Sequence, residues 1–447
     1  GAGAPSTPPP HPAPPPPPGW PRAPGNGGRL LAAGAASLAE HVARLGPVPY
    51  RGRPAQLVDE LRAAGLTGRG GAGFPMWRKL AAALGPDAAG GPDAAGGQAW
   101  SGPASVVANA AESEPESAKD AWLLTRAPHL VLDGLALVAE AVSAADAYVY
   151  VKAGPAAEAV GRALAERRAA RVDQRPAEVR LAPPGVFVAG EASAAAAVVD
   201  GGAAKPFPQF VPLAAQAPRG AGRQGRLRRS LVVCNAETLA HLALLARHGA
   251  AWFRERGTVD EPGTMLVTVG GAVVSPGLVE VPIGATLAEV VGRAGGAAER
   301  PGAIRVGGYG GSWLSADRTP DVPLSRAGLA AWDAAPGPGL VHVLPARACG
   351  LAETARLAGY LAAQSAGQCG PCRAGLPELA AAAGQLAGGG GLTGSWARQA
   401  AEVAELVDGR GACRHPDGAA RLVRSALRVF AADLHAHAAG RCAGSGG

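Results

Sequence analysis

The sequence predicts an α/β protein built of three units in series: a mostly parallel α/β domain, a small β-rich unit and a helical C-terminal block. Three observations carry this. Apolar runs such as Ala104 to Ala108 and Ala147 to Val151 alternate with stretches of helical spacing, the pattern of βαβ units. Strand-like runs and Gly/Pro turns then crowd between Gly263 and Leu314. Beyond residue 350 apolar residues fall at helical spacing, and Val423, Leu427, Phe430 and Leu434 make a stripe at i, i+4, i+7 and i+11.

In chain order, residues 1–28 are mostly Pro, Gly and Ala and cannot bury enough apolar surface to fold, so they read as a disordered tail. The expected units are then 29–257, 258–342 and 343–447. Helices are expected at Leu38 to Leu45, Ala55 to Ala64 and Met76 to Leu84, before a Gly/Pro/Asp-rich surface insertion from Gly85 to Gly102. The α/β alternation continues with a helix His129 to Val142, a helix Pro155 to Ala169, a strand Val179 to Ala182, a strand-like Gly185 to Ala189 and a small-residue helix Ala192 to Val199. Leu231 to Val233 reads as a strand running into a further helix. The β unit takes strands at Met265 to Val269, Ala272 to Val274, Leu278 to Val281 and Ile304 to Val306, with a helix Leu287 to Gly292, a β-grasp-like set. Helices are expected over 350–363, 374–387, 395–407 and 419–437.

Composition narrows the function. Six cysteines in 447 residues make no disulfide scaffold, and a reducing cytoplasm is the expected compartment. No run of eighteen apolar residues occurs and the N-terminal stretch lacks signal-peptide character, so no direct membrane insertion is expected. The net charge of +7 owes part of its excess to Arg219 to Arg229. That run reads as a solvated loop or a contact for an acidic protein; nucleic acid fits less well, because no aromatic residues are interleaved with it.

The chain is organised around Gly68 to Pro75, Gly-Arg-Gly-Gly-Ala-Gly-Phe-Pro. Glycines at this density let backbone N–H groups approach a ligand, and phosphate is the natural one. Arg69 and Lys79 bracket the loop with positive charge, and Phe74 offers a flat apolar face. An unliganded surface loop is the plainer alternative. Acidic residues recur at strand ends: Glu112 and Glu114 follow Asn109, and Glu191 follows Gly190. In a parallel sheet such ends line the ligand crevice, although a solvated loop would look the same. Asn235 and Thr238 stand where helix capping alone would explain them. Cys369-Gly-Pro-Cys372 with Cys413 about forty residues on suits a metal or cluster, but also a reduced dithiol with a buried third thiol.

These motifs, in this order, resemble the flavin-carrying, NADH-oxidising subunit of respiratory complex I (its F subunit) and its relatives in NAD-linked hydrogenases and formate dehydrogenases. In that family a Gly-Arg-Gly-Gly-Ala-Gly-Phe-Pro loop holds FMN and NADH. Its Asn-Ala-Asp-Glu-x-Glu-Pro resembles Asn109 to Pro115, its Cys-Gly-Glu-Glu resembles Ala189 to Ala192, its Asn-Asn-Val-Glu-Thr resembles Cys234 to Thr238, and its Gly-Gln-Cys-x-Pro-Cys-Arg resembles Gly367 to Arg373. The resemblance spans Arg29 to Arg441. It implies an FMN-binding α/β domain, a soluble-ligand-binding β-grasp (SLBB-type) domain and a helical iron–sulfur domain.

The implied function is that of an NADH dehydrogenase of the diaphorase type. FMN would be held by Gly68, Gly70, Gly71, Asn109, Glu112, Gly190, Glu191, Asn235 and Thr238, with Arg69, Lys79 and Phe187 in the same cofactor set. NADH would lie against Phe74 with Glu114 near its ribose or amide, and Lys205 and Phe207 are loose counterparts of the family's NADH-holding Lys/Phe pair. Cys369, Cys372 and Cys413 would hold a 4Fe-4S or, lacking a fourth thiolate, a 3Fe-4S cluster, the fourth ligand being Ser365, water, Cys349 or none. The implied partner is a ferredoxin-like or thioredoxin-fold iron–sulfur protein. The chain departs from the family at Ala111, Ala192, Cys234 and Ala366, each of which replaces a polar or thiolate ligand. That erosion motivates a second reading, a paralogue that keeps the fold without oxidising NADH; a third is a ligand-binding role centred on the β-grasp unit.

Overall fold

The computed structural model describes residues 28–84, 104–208, 213 and 230–442. The Pro-rich tail up to residue 27, the insertion at 85–102 and the basic run at 219–229 lie outside the described residues.

The first unit opens with helices α1 (Leu38–Leu45), α2 (Pro54–Ala64) and α3 (Met76–Leu84). Ser37 caps α1 through its side chain, and Gly65 ends α2 in the left-handed conformation that spares a Cβ clash. The chain then runs through β1 (Ser105–Ala110), α4 (Lys119–Arg126), α5 (Pro128–Ala141), β2 (Asp146–Lys152), α6 (Pro155–Ala169), β3 (Ala177–Ala182), α7 (Ala192–Val199), β4 (Leu231–Asn235) and α8 (Ala236–Arg254). The four strands form a parallel sheet in the order β3-β2-β1-β4. β1 sits inside, with Val106, Val107 and Ala108 fully buried; each buried valine stabilises by about 1.5–3 kcal/mol, which is why this run takes the central place. α5 is buried on almost every face, beneath α2 and α8. No single helix among the described residues is long and apolar enough to cross a membrane; α4 and α5 pass only as a pair, bent by 94°.

The second unit comprises β5 (Thr264–Gly271), β6 (Gly277–Pro282), α9 (Leu287–Arg293), β7 (Pro301–Val306), β8 (Ser312–Ser315), α10 (Arg326–Ala330) and β9 (Leu340–Pro345). Its sheet runs β6-β5-β9-β7-β8 and is antiparallel except where β5 pairs with β9. A capping box between Thr286 and Glu289 starts α9. The third unit is helical: α11 (Gly350–Ala363), a π-turn Pro371–Gly375, α12 (Leu376–Gly388), α13 (Thr393–Val407), α14 (His415–Val429) and α15 (Ala431–Ala438).

Several expectations need correcting. Gly185 to Ala189 is not a strand; Phe187–Gly190 forms a 3-10 turn, because β3 is already the sheet edge and Gly190 is pinned onto the loop after β1. Ala272 to Val274 makes only an isolated bridge between Val273 and Ala297, since Gly271, at φ +78°, turns the chain out of β5. The helix expected over 419–437 is two helices starting at His415. The break falls at Phe430, whose ring lies 5.4 Å from Trp313 and presses on Gly350, where a Cβ would come within 2.2 Å. β9 carries the second sheet to Pro345, past residue 342. Strands β8 and β9 and helices α4 and α10 escaped the sequence reading.

Candidate functional site

From β1 the chain lays β2 and β3 on one side and then returns to place β4 on the other, so the crevice at the carboxyl ends of β1 and β4 is a topological switch point. Around it stand the loop after β1, Asn235 at the end of β4, Lys152 at the end of β2, and the glycine loop.

The glycine loop is a tight hairpin. Thr67 and Pro75 form a bridge, and the Gly68 N–H donates to the Phe74 carbonyl at 2.9 Å. Gly71 (φ +103°) and Gly73 (φ +61°) take backbone angles that side chains rarely allow. Gly70 rests on Asn235, with its missing Cβ only 3.3 Å from that residue's Cβ. Among the described residues the N–H groups of Gly70, Gly71 and Ala72 have no hydrogen-bond partner. Phe74 is 40% exposed, with its ring open to stack.

Arg69 corrects the reading of a charge bracketing the loop. Its guanidinium is buried and donates to the carbonyls of Thr67, Pro262 and Thr264; burial pulls its pKa down to about 10. Its backbone N–H donates to Thr238 Oγ1 at 2.8 Å, so Thr238 is a tether between loop and α8 rather than a cap. Lys79 Nζ donates to the Val233 carbonyl at 2.6 Å. The dipole of α3 is also partly spent, because the Met76 N–H donates to the Leu66 carbonyl.

On the opposite wall, Asn109 Nδ2 donates to the Gly190 carbonyl at 2.8 Å, and the Gly190 N–H donates to Ser113 Oγ at 3.0 Å. A Cβ at Gly190 would lie 2.2 Å from Ser113 Oγ and 2.5 Å from the Ala111 carbonyl, so only glycine permits this approach. Glu191 is the cap of α7, accepting the N–H groups of Ser193 and Ala194. Phe187 packs into an aromatic set of the helical unit, with its ring 5.9 Å from Tyr360 and 5.3 Å from His415. Phe207 is buried and donates its N–H to Ser193 Oγ, while Lys205 is exposed, so the two make no stacking pair.

Glu112 accepts from Ser117 Oγ and from the Ala121 N–H; burial, reinforced by Asp120, pushes its pKa up to about 7. Glu114 accepts the Tyr309 N–H at 3.0 Å, and burial pushes it to about 7 as well. Glu116 pairs with Arg305 at 2.7 Å and His342 at 3.3 Å; burial would raise it, but these partners bring it down to about 2. The β unit thus clamps the acidic loop, and Arg326 reaches across to donate to the Gly71 carbonyl.

Sequence reasoning missed what lies beneath. Lys119 Nζ contacts Asp120 at 3.0 Å, Glu237 at 3.1 Å and Asn235 Oδ1 at 3.1 Å, all buried or half-buried. Glu237 also accepts the Leu266 N–H, tying the first unit to β5. Asn235 is the cap of α8 and the hub of this network. The legible signal was a Lys-Asp pair and a Glu placed beside apolar helix starts. Lys152, half-buried beside Glu112 and lowered in pKa by burial, was legible as a cation ending a strand.

In the helical unit Cys369, Cys372 and Cys413 come together. Burial opposes Cys369 ionisation, but N–H groups of Ala412 and Cys372 aimed at its sulfur outweigh it and lower its pKa. Cys372 is pushed up by burial and by Cys369, and Cys413 is pushed up to about 12 by burial, with Glu191, Cys372 and Cys369 adding to it. Three thiols near enough to shift one another's ionisation, with backbone donors at the sulfurs, are the donor set an iron–sulfur cluster takes. Ala366 supplies no ligand, and Cys349 is committed elsewhere, 3.5 Å from His437 Nε2, which removes it as a fourth corner. Gln368 donates to the Pro206 carbonyl and Gln364 Oε1 accepts the Phe187 N–H at 3.1 Å, so the cysteine loop is docked on the first unit.

Comparison with known proteins matches each unit. Residues 61–244 match the Nuo51 FMN-binding domain, residues 266–312 the SLBB domain, and residues 352–437 the NADH-ubiquinone oxidoreductase-F iron-sulfur binding region. The NADH-quinone oxidoreductase F subunit of Streptomyces coelicolor is 28% identical over 410 residues, covering 87% of this chain and 84% of the relative. The F subunit of the Mycobacterium bovis enzyme is 30% identical over 406 residues, covering 87% and 85%. A crystal structure of an NAD+-reducing [NiFe]-hydrogenase superposes with a TM-score of 0.77 at 29% identity, over 92% of this chain and 67% of that one. With these three domains in this order, the chain belongs to the family of NADH-quinone oxidoreductase F subunits.

Proposed function

We propose that the chain is an NADH-oxidising flavoprotein subunit that binds FMN at the switch point and an iron–sulfur cluster at Cys369, Cys372 and Cys413. When bound, FMN would accept hydride from NADH and release single electrons to the cluster. The observation that carries this reading is the convergence, at one crevice, of three loop N–H groups without a partner among the described residues, the exposed Phe74 ring and the Asn109–Gly190 wall.

In this reading Gly68, Gly70 and Gly71 let the backbone meet the FMN phosphate, with Lys79 and Lys152 supplying positive charge nearby. Asn109, Glu112 and Asn235 present polar atoms to the flavin, and Phe74 and Glu114 orient the nicotinamide nucleotide. Arg69, Thr238, Glu191 and Gly190 hold the walls in place. Phe187 lies between the α/β domain and the cysteine loop, where it excludes water from the path between the two centres. The relatives are subunits of larger complexes, and the partner proposed here is a ferredoxin-like or thioredoxin-fold iron–sulfur subunit, with the chain in the cytoplasm at the edge of its complex.

A second reading, a subunit that keeps FMN without oxidising NADH, is favoured by Ala111 and Ala192, which place methyl groups where the family has acids, and by the burial of Phe207. One experiment separates them. Flavin-loaded protein is titrated anaerobically with NADH; bleaching of the visible flavin band supports the first reading, and retention of FMN without bleaching supports the second.

A further inference from the structure

The region where the chain returns to the start of the helical unit holds a second group of metal-type ligands. Cys349 caps α11, His437 lies near the end of α15, and Cys442 follows four residues after that helix; one ligand atom from each falls within 4.8 Å of the others. His437 is 2% exposed, and its Nδ1 lies 2.9 Å from the Leu386 carbonyl at the end of α12. A carbonyl only accepts, so Nδ1 carries the proton and the Nε2 lone pair points at Cys349 Sγ, 3.5 Å away. Two ligands on one tetrahedral zinc, with S and N at about 2.3 and 2.0–2.1 Å, stand roughly 3.5 Å apart, so the sulfur and nitrogen already sit at ligand spacing.

We propose that Cys349, His437 and Cys442 form a zinc site that fastens the segment after α15 to the start of α11. Two thiolates and one imidazole select zinc among the common divalent metals. Binding displaces two thiol protons to solvent and oxidises nothing. The Leu386 carbonyl fixes the imidazole as an outer partner, and the backbone N–H of Ala352 donates to Cys349 Sγ at 3.3 Å, stabilising its thiolate. A water completes the tetrahedron, since no carboxylate among the described residues shares the 4.8 Å group. The site shares no residue with the Cys369, Cys372 and Cys413 group, and Cys349 and Cys442 lie outside the matched iron–sulfur region.

The test uses the full chain carrying Cys369→Ser and Cys372→Ser, so that the cluster ligands cannot take the added metal. After anaerobic reduction, the protein is loaded with cobalt(II) or zinc(II) and desalted. One tightly held equivalent is expected, with thiolate-to-cobalt charge-transfer absorption. Adding Cys442→Ser, which lies outside any helix, should remove that equivalent while circular dichroism and FMN loading stay unchanged; His437→Ala should do the same. No bound equivalent, an equivalent that survives both changes, or a Cys349–Cys442 disulfide in anaerobically prepared protein would overturn the proposal.

Discussion

The hydroxyl of Thr238 accepts the backbone N–H of Arg69 at 2.8 Å, fixing the glycine loop to the first turn of the helix that follows β4. The bond is buried, so losing its acceptor leaves an amide with neither protein nor water. Thr238→Val keeps the shape and removes the acceptor. It should cost about 1–3 kcal/mol, and the loosened loop should weaken FMN binding by roughly tenfold. Fluorescence quenching of added FMN reads this directly; unchanged affinity would show that the tether does not set the loop.

Gly190 is the second fixed point. Gly190→Ala drives a methyl group against Ser113 Oγ and the Ala111 carbonyl. The serine can rotate but the carbonyl cannot, so about 1–3 kcal/mol of strain is expected together with loss of flavin loading. Combining it with Ser113→Ala should rescue little. Full rescue would mean that the backbone contact is unimportant.

Glu112 and Glu114 titrate near pH 7 because burial favours their neutral forms. The sign follows: below about pH 7 both are protonated, and above it they add two negative charges to the crevice proposed to hold the FMN phosphate. Because each folded pKa is raised above the unfolded value, ionisation also costs folding stability as pH rises from about 4.5 through 7. FMN affinity should fall across neutrality, and Glu112→Gln should flatten the fall. Parallel binding curves for the two proteins across that range isolate the carboxyl from the titration of the phosphate itself; identical pH dependence would sink the assignment.

Ala366 leaves one corner of the proposed cluster without a thiolate. Ala366→Cys should raise the iron content by about one atom per chain and move the paramagnetic signal from the oxidised to the reduced sample, as a three-iron centre becomes a four-iron one. Iron analysis with electron paramagnetic resonance on anaerobic protein checks it. Four irons already present in the unchanged chain would show that another ligand fills that corner.

The order of the units, most helices and strands, and the loops that ring the crevice can all be read from the chain alone. Those features are written in short-range terms: glycine density, helical or alternating spacing, and Cys-x-x-Cys. What each polar side chain does is settled only on folding, because a buried donor takes whichever acceptor is brought near it. Thus Arg69, legible as a ligand-facing charge, spends its guanidinium on carbonyls nearly two hundred residues away. Glu191 became a helix cap, and the Lys119–Glu237 ion pair under the site joins residues that no local pattern links. The breaks at Gly271 and Phe430 have the same origin, since Phe430 interrupts a good helical stripe only because Trp313 and Gly350 meet it from other elements. Cys349 and His437, eighty-eight residues apart, are neighbours for that reason alone.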